Sequence, residues 1–223
     1  MSKKVFLSPS NQYDNVYAYG NTTEGVQCGK IAEACKVALE RSGVDVMLMH
    51  DESMQTKCAE SNKFGADLHV PIHTNAFNGS VMGTRMFCYN TGKGMAACKA
   101  IFSRVAPLSP GTSENIQVNQ KLYEVRVPAA PTAYLECEFH DTVEGAKWIV
   151  ENTTAIGEAI AHGICDYFGV TFKEPEQPKP AKPVTTGTLY RVQVGAFAVR
   201  ENAEKMLARL KAAGFEGFIR EGK

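Results

Sequence analysis

Apolar positions along this chain keep two rhythms in turn. Clustered or alternating apolar residues in "KVFLS", "VDVMLMH", "ADLHVPIHTNA", "GTRMFCYN" and "TAYLECEFHD" predict strands over residues 4–8, 44–50, 66–76, 83–90 and 132–141. Between them, apolar residues recur three and four apart. That spacing predicts helices over 25–43, 53–65 and 92–108, the first of them stopped by Gly43. Residues 145–169 supply one broken helix or two consecutive ones. Strands alternating with helices in this way predict an α/β fold, a mostly parallel sheet flanked by helices on both faces. In such sheets, sites form where the strands end at their carboxyl edges. "HTNA" and "ECEFHD" both fall there.

The rhythm stops at Lys173. Residues 173–188, "KEPEQPKPAKPVTTGT", carry Pro175, Pro178, Pro180 and Pro183 and no large apolar residue except Val184. This stretch cannot bury a core and reads as an extended, semi-rigid linker. The expected organisation is a large domain over 1–170, a linker over 171–188 and a tail over 189–223. The tail alternates in "YRVQVGAF", turns amphipathic in "RENAEKMLARLKAAG" and resumes in "FEGFIR". It predicts a small α+β module of strand, helix and strand.

Composition narrows the function. Apolar residues make up 44% of the chain, enough for a real core, and the formal net charge is zero. No global field therefore favours nucleic acid, an anionic membrane or the gathering of cations. The seven cysteines form no C-x-x-C pair and sit on apolar stretches such as "IAEACKVAL", as buried reduced thiols of a cytosolic product do. The start, "MSKKVFLSPSNQ", is too briefly apolar for a signal peptide, and no segment is long and apolar enough to span a bilayer. The expectation is a soluble chain made in the cytoplasm, with no nucleic-acid partner and no membrane insertion.

Three positions invite chemistry. Glu24 opens the first long helix, and His73 ends the third strand. On "YLECEFH", period-two alternation puts Glu136, Glu138 and His140 on one strand face. Three ionisable groups are costly to bury unpaired, so that face is either open to water or organised around a cation. A hydrolytic zinc site needs three histidine or carboxylate ligands, an open position for water and a glutamate to take a proton. Glu24, His73, His140 and Glu136 supply that set, although no H-E-x-x-H spacing gathers it. A solvated strand end beside a core histidine accounts for the same residues.

The stretches "VFLSPSNQ", "GNTTEG", "GADLHVPIHTNAFNG", "GTRMFCY" and "KLYEVRVPAAPTAYLECEF" resemble, in that order, the zinc-dependent N-acetylmuramoyl-L-alanine amidases of the amidase-3 type. The resemblance implies zinc as cofactor, peptidoglycan as partner, Glu24 and His73 as metal ligands, and Glu136 as the catalytic glutamate. One departure stands out. Where the family has a zinc-binding histidine after the first strand, this chain has Asn11, a poor zinc ligand. His140, where the family is aliphatic, is the expected substitute. Asn11, Gln12, Asn75 and Glu138 are expected to contact the ligands or the substrate, and His69 to be structural or to support the ligands.

The tail's "VQVGAF" and "NAEKMLARLKAAGF" resemble half of a SPOR peptidoglycan-binding domain. Two chains would then complete one domain by pairing half-repeats edge to edge as a homodimer. The implied activity is hydrolysis of the amide between N-acetylmuramic acid and L-alanine, by an endolysin or a lytic autolysin. The alternatives are an amidase-like wall-binding protein without catalysis and a zinc carboxypeptidase acting on stem peptides.

Overall fold

The computed structural model describes residues 2–175 and 192–221. The chain divides into two compact units, Met1–Glu176 and Gln177–Lys223. In the first, six strands form one sheet in the order β2-β1-β3-β6-β4-β5. They are β1 (Lys4–Pro9), β2 (Asp45–Leu48), β3 (Leu68–Asn75), β4 (Arg85–Cys88), β5 (Asn115–Val118) and β6 (Tyr134–Phe139). Every neighbouring pair is parallel except β4 and β6. The helices are α1 (Glu24–Arg41), α2 (Met54–Phe64), α3 (Lys93–Val105), the single turn α4 (Tyr123–Arg126) and α5 (Val143–Phe168).

The alternation along each strand decides which face is which. Val5, Leu7, Leu68, Val70, Ile72, Met86 and Leu135 all turn to one face, where they form the core with apolar residues of α1, α3 and α5. Helix α5 packs on both α1 and α3, and a break at Asn152 (φ −126°, ψ 18°) lets it follow them. Gly157 makes the α1 contact possible, since a Cβ there would stand 2.6 Å from the Ile31 carbonyl oxygen. The other face is more polar. There Phe6 stacks on His69, which bonds to Ser61 of α2 and Glu124 of α4. Ser53 caps α2 by accepting from the Thr56 amide, and Gly65 ends it at φ 70°, where a side chain would be strained.

Two details of β3 bear on the site. Pro71 lies in a central strand, yet its missing donor falls at a gap in the ladder, between the His69–Thr132 bridge and the Ile72–Leu135 pair. Further along, His73 opposes Glu136 but Asn75 opposes Phe139, so β6 carries an extra residue in between. This bulge ends the period-two alternation just past Glu136.

Helix α6 (Arg200–Ala212) is the one regular element among the described residues of the second unit. The strands expected on either side of it are not formed there, so the strand-helix-strand reading of the tail is corrected to a helix with irregular flanks. The physical reason is the missing partner. A strand is held by ladder bonds and a covered face, whereas Val192 and Phe218 are 88% and 79% exposed. Pairing of two half-repeats edge to edge has no strand edges to use among these residues. Most of the proline-rich linker lies outside the described residues.

Candidate active site

The site lies at the carboxyl edge of β1, β3 and β6. The first residue of α1, Glu24, reaches the carboxyl end of β3, where its Oε1 stands 2.8 Å from His73 Nδ1. Burial disfavours ionised Glu24, but the bond to His73, that histidine's charge and hydrogen bonds from Asn15 and Ser10 together hold its pKa below the usual carboxylate range. For His73, burial works against the proton, and the carboxylates of Glu24 and Glu136 outweigh it and raise the pKa. The imidazole is stacked on the Tyr134 ring at 4.8 Å, which fixes its plane. In register with His73 sits Glu136, whose Oε2 is buried with no hydrogen-bond partner. Burial pushes its pKa up to about 7, with Glu24 adding to the rise and His73 and Arg85 opposing it.

A third group joins the pair from the loop after β1. The Gln12 amide nitrogen is 3.5 Å from both Glu24 Oε1 and His73 Nδ1. Asn15 steadies this corner by donating to Gln12 Oε1 at 3.0 Å and to Glu24 Oε2 at 2.7 Å. Asn11 points elsewhere and donates to the Glu52 carbonyl oxygen at 3.1 Å. Glu24 and His73 are donors of the kind zinc takes, and the orphaned Glu136 oxygen beside them suits a proton acceptor, so the pair fits the ion while supplying two of the three protein ligands that a hydrolytic site uses.

A family model described as N-acetylmuramoyl-L-alanine amidase matches residues 11–166. The chain belongs to the N-acetylmuramoyl-L-alanine amidase family. A SPOR domain model matches residues 173–221, beginning inside the proline-rich stretch. The sporulation-specific N-acetylmuramoyl-L-alanine amidase of Bacillus subtilis (strain 168) is 25% identical over 224 residues, covering 97% of this chain and 84% of that protein. Among solved structures, the catalytic domain of the amidase CwlV from Bacillus (Paenibacillus) polymyxa var. colistinus is similar, with a TM-score of 0.69 and 16% identity. It covers 76% of this chain and 99% of that one. The N-acetylmuramoyl-L-alanine amidase from Clostridium difficile 630 has a TM-score of 0.66 and 20% identity, covering 75% of this chain and 97% of that one. At these identities the structures establish the shared fold.

In this amidase, His140 does not join Glu24 and His73. Its Nδ1 bonds to Thr74 Oγ1 at 2.9 Å, its ring stacks on Tyr17 at 4.9 Å, and burial lowers its pKa. Among the described residues, only Cys58, His69 and Glu124 bring three potential ligand atoms within 4.8 Å of one another. Two of these three are engaged in hydrogen bonds: His69 Nδ1 with Ser61 at 3.0 Å, His69 Nε2 with Glu124 at 3.3 Å, and Glu124 also with Ser8. The network ties β1 and β3 to α2 and α4, which fits the structural role expected of His69.

Glu138 is also turned from the face that alternation predicts for it. It is fully buried, accepting from the amides of Gly83 at 2.6 Å and Phe139 at 2.7 Å and from the Ser109 hydroxyl. The bulge explains this, and the face is accordingly neither one open row nor three groups around a cation. Asn75 bonds to its neighbour, its Oδ1 accepting from the Ala76 amide. Tyr134, Asn15 and Arg85 belong to the site and escape a reading of the sequence. Tyr134, two residues before Glu136, was within reach of the alternation argument.

Proposed function

We propose that this amidase hydrolyses the lactyl amide between N-acetylmuramic acid and L-alanine with Glu136 as general base, and that Glu24 and His73 hold a zinc ion beside it. The observation that carries the reading is the buried, unpartnered Glu136 Oε2 in register with His73. A zinc ion bound there would polarise the amide carbonyl and lower the pKa of a nearby water. The chain's own groups do the rest. Glu136 accepts the water's proton and returns it to the departing alanine nitrogen, which would otherwise leave as an unstable anion. Tyr134 keeps the His73 ring in plane, and Asn15 and Gln12 hold the Glu24 carboxylate in place. The SPOR-like tail supplies contact with the wall, as suits an endolysin or a lytic autolysin.

Purified peptidoglycan is expected to yield new N-terminal alanine without new reducing ends. One zinc per chain should be present after purification, lost in His73→Ala and kept in His140→Ala, because His140 lies outside the Glu24–His73 pair, stacked on Tyr17. Reducing ends in place of alanine would mean a glycosidase. Released C-terminal amino acids would mean a carboxypeptidase. Neither zinc nor cleavage would leave a wall-binding protein.

A further inference from the structure

The strand register draws one line across the sheet from Glu136. This residue opposes His73 on β3 and Arg85 on β4, and Arg85 opposes Asn115 on β5. Residues opposite one another in a ladder project from the same face. His73, Glu136, Arg85 and Asn115 therefore form a transverse row at the edge where the site opens. Three of the four carry a buried polar atom without a hydrogen-bond partner: Glu136 Oε2, Arg85 Nε and Asn115 Oδ1. Buried polar atoms are nearly always satisfied in folded proteins, so three orphans in one row point to a ligand.

The guanidinium is held ready. Arg85 Nη2 donates to Ser113 Oγ at 3.0 Å, and the group lies 5.1 Å from the centre of the Phe139 ring. Among the described residues, no carboxylate comes within ion-pair distance of it. An immobilised guanidinium with free donors recognises a carboxylate, and an amide oxygen lacking a donor accepts an N–H. The ligand must present both groups a short distance from the bond that Glu136 attacks. A stem peptide does so at its second residue, which follows L-alanine, offers a peptide N–H and carries a carboxyl group beside the backbone. That carboxyl is either free or converted to an amide.

We propose that Arg85 and Asn115 form the subsite for this second residue, Arg85 reading its free carboxylate and Asn115 accepting its N–H. The subsite rests on the amidase reading. An amidated substrate gives Arg85 a neutral oxygen in place of an anion and so weakens the contact. The row thus sets which walls the enzyme cuts well.

The test compares N-acetylmuramoyl-L-alanyl-D-glutamate with its α-carboxamide as substrates of the full chain. The wild type is expected to favour the free acid in kcat/KM by about tenfold or more. Arg85→Gln should bring that ratio close to one, chiefly through KM, and Arg85→Lys should keep part of it, having the charge without the fork. Should Arg85→Gln fail to fold by circular dichroism, Asn115→Asp carries the test. Its added carboxylate should raise KM for the free acid more than for the amide. Equal rates on both substrates in the wild type overturn the subsite. So does an undiminished ratio in Arg85→Gln, or an equal change on both substrates in Asn115→Asp. Failure to cleave either substrate overturns the amidase reading, and the subsite with it.

Discussion

Replacing Glu136 by glutamine is expected to lower kcat on peptidoglycan at least about a hundredfold, the scale of a lost general base, while the fold becomes no less stable. The two effects share one cause. Oε2 is buried without a partner, so the carboxylate is free to take a proton from water and costly to keep ionised. Burial pushes the folded pKa up to about 7 from the ordinary 4.5. Between those values the folded state holds a proton that the unfolded chain has released. Stability in the metal-free protein therefore falls as pH rises through that window. Glutamine has no proton to lose, so Glu136→Gln should flatten this part of the profile. Thermal melts of the chelated protein at pH 5 and pH 8, with turnover measured in parallel, check both effects. Wild-type turnover in the variant would remove Glu136 from the chemistry.

Glu124→Ala is expected to destabilise the fold by about 3–5 kcal/mol, the usual consequence of removing one member of a buried charged network. Glu124 is 3% exposed and bonds to His69 and Ser8, so its loss strands both. Lys57, also buried, lies within the field of this carboxylate and donates to the Pro9 carbonyl oxygen at 2.7 Å. The direction with pH is fixed. Burial disfavours ionised Glu124, but His69 and Ser8 overcome that and lower its pKa. The carboxylate's contribution is therefore complete above the unfolded value of 4.5 and is lost as pH falls below it. Urea unfolding at pH 7 and pH 4 should show a large gap between wild type and variant at the first and a smaller one at the second. An equal gap at both would mean that the site acts through packing alone.

Much of the first unit was legible because each rhythm served one kind of layer. The strands expected over 4–8, 66–76 and 132–141 became the three that frame the site, and the broken helix over 145–169 is α5 with its turn at Asn152. Strand β5 was missed because "NIQV" is short, half exposed and at the edge of the sheet, where alternation has little to bury. The antiparallel pairing of β4 with β6 leaves no mark in either segment, since it depends on the order in which strands assemble. The same limit hid Arg85 and Asn115, which meet Glu136 only through register.

Within the site, Glu24 and His73 were readable because each sits at the end of an element facing the sheet's carboxyl edge. Alternation misled one step later. It treated Glu136, Glu138 and His140 as one face, and the extra residue in β6 gave Glu138 to the Gly83 and Phe139 amides and His140 to Thr74. Gln12 was expected to contact the ligands or the substrate without a means to prefer it to Asn11. The loop's hydrogen bonds make that choice, and they connect residues far apart in sequence.

The seven cysteines are all free and buried, and burial raises the pKa of every one of them. A thiol reacts as its thiolate and only where a reagent can reach it. The thiols of the folded enzyme are therefore shielded from oxidants and alkylating agents, and native chains are not cross-linked to their neighbours through them. Unfolding would uncover all seven sulfurs together. The same side chains that pack the core would then join misfolded chains to one another, so that damage becomes irreversible in surroundings the native molecule tolerates.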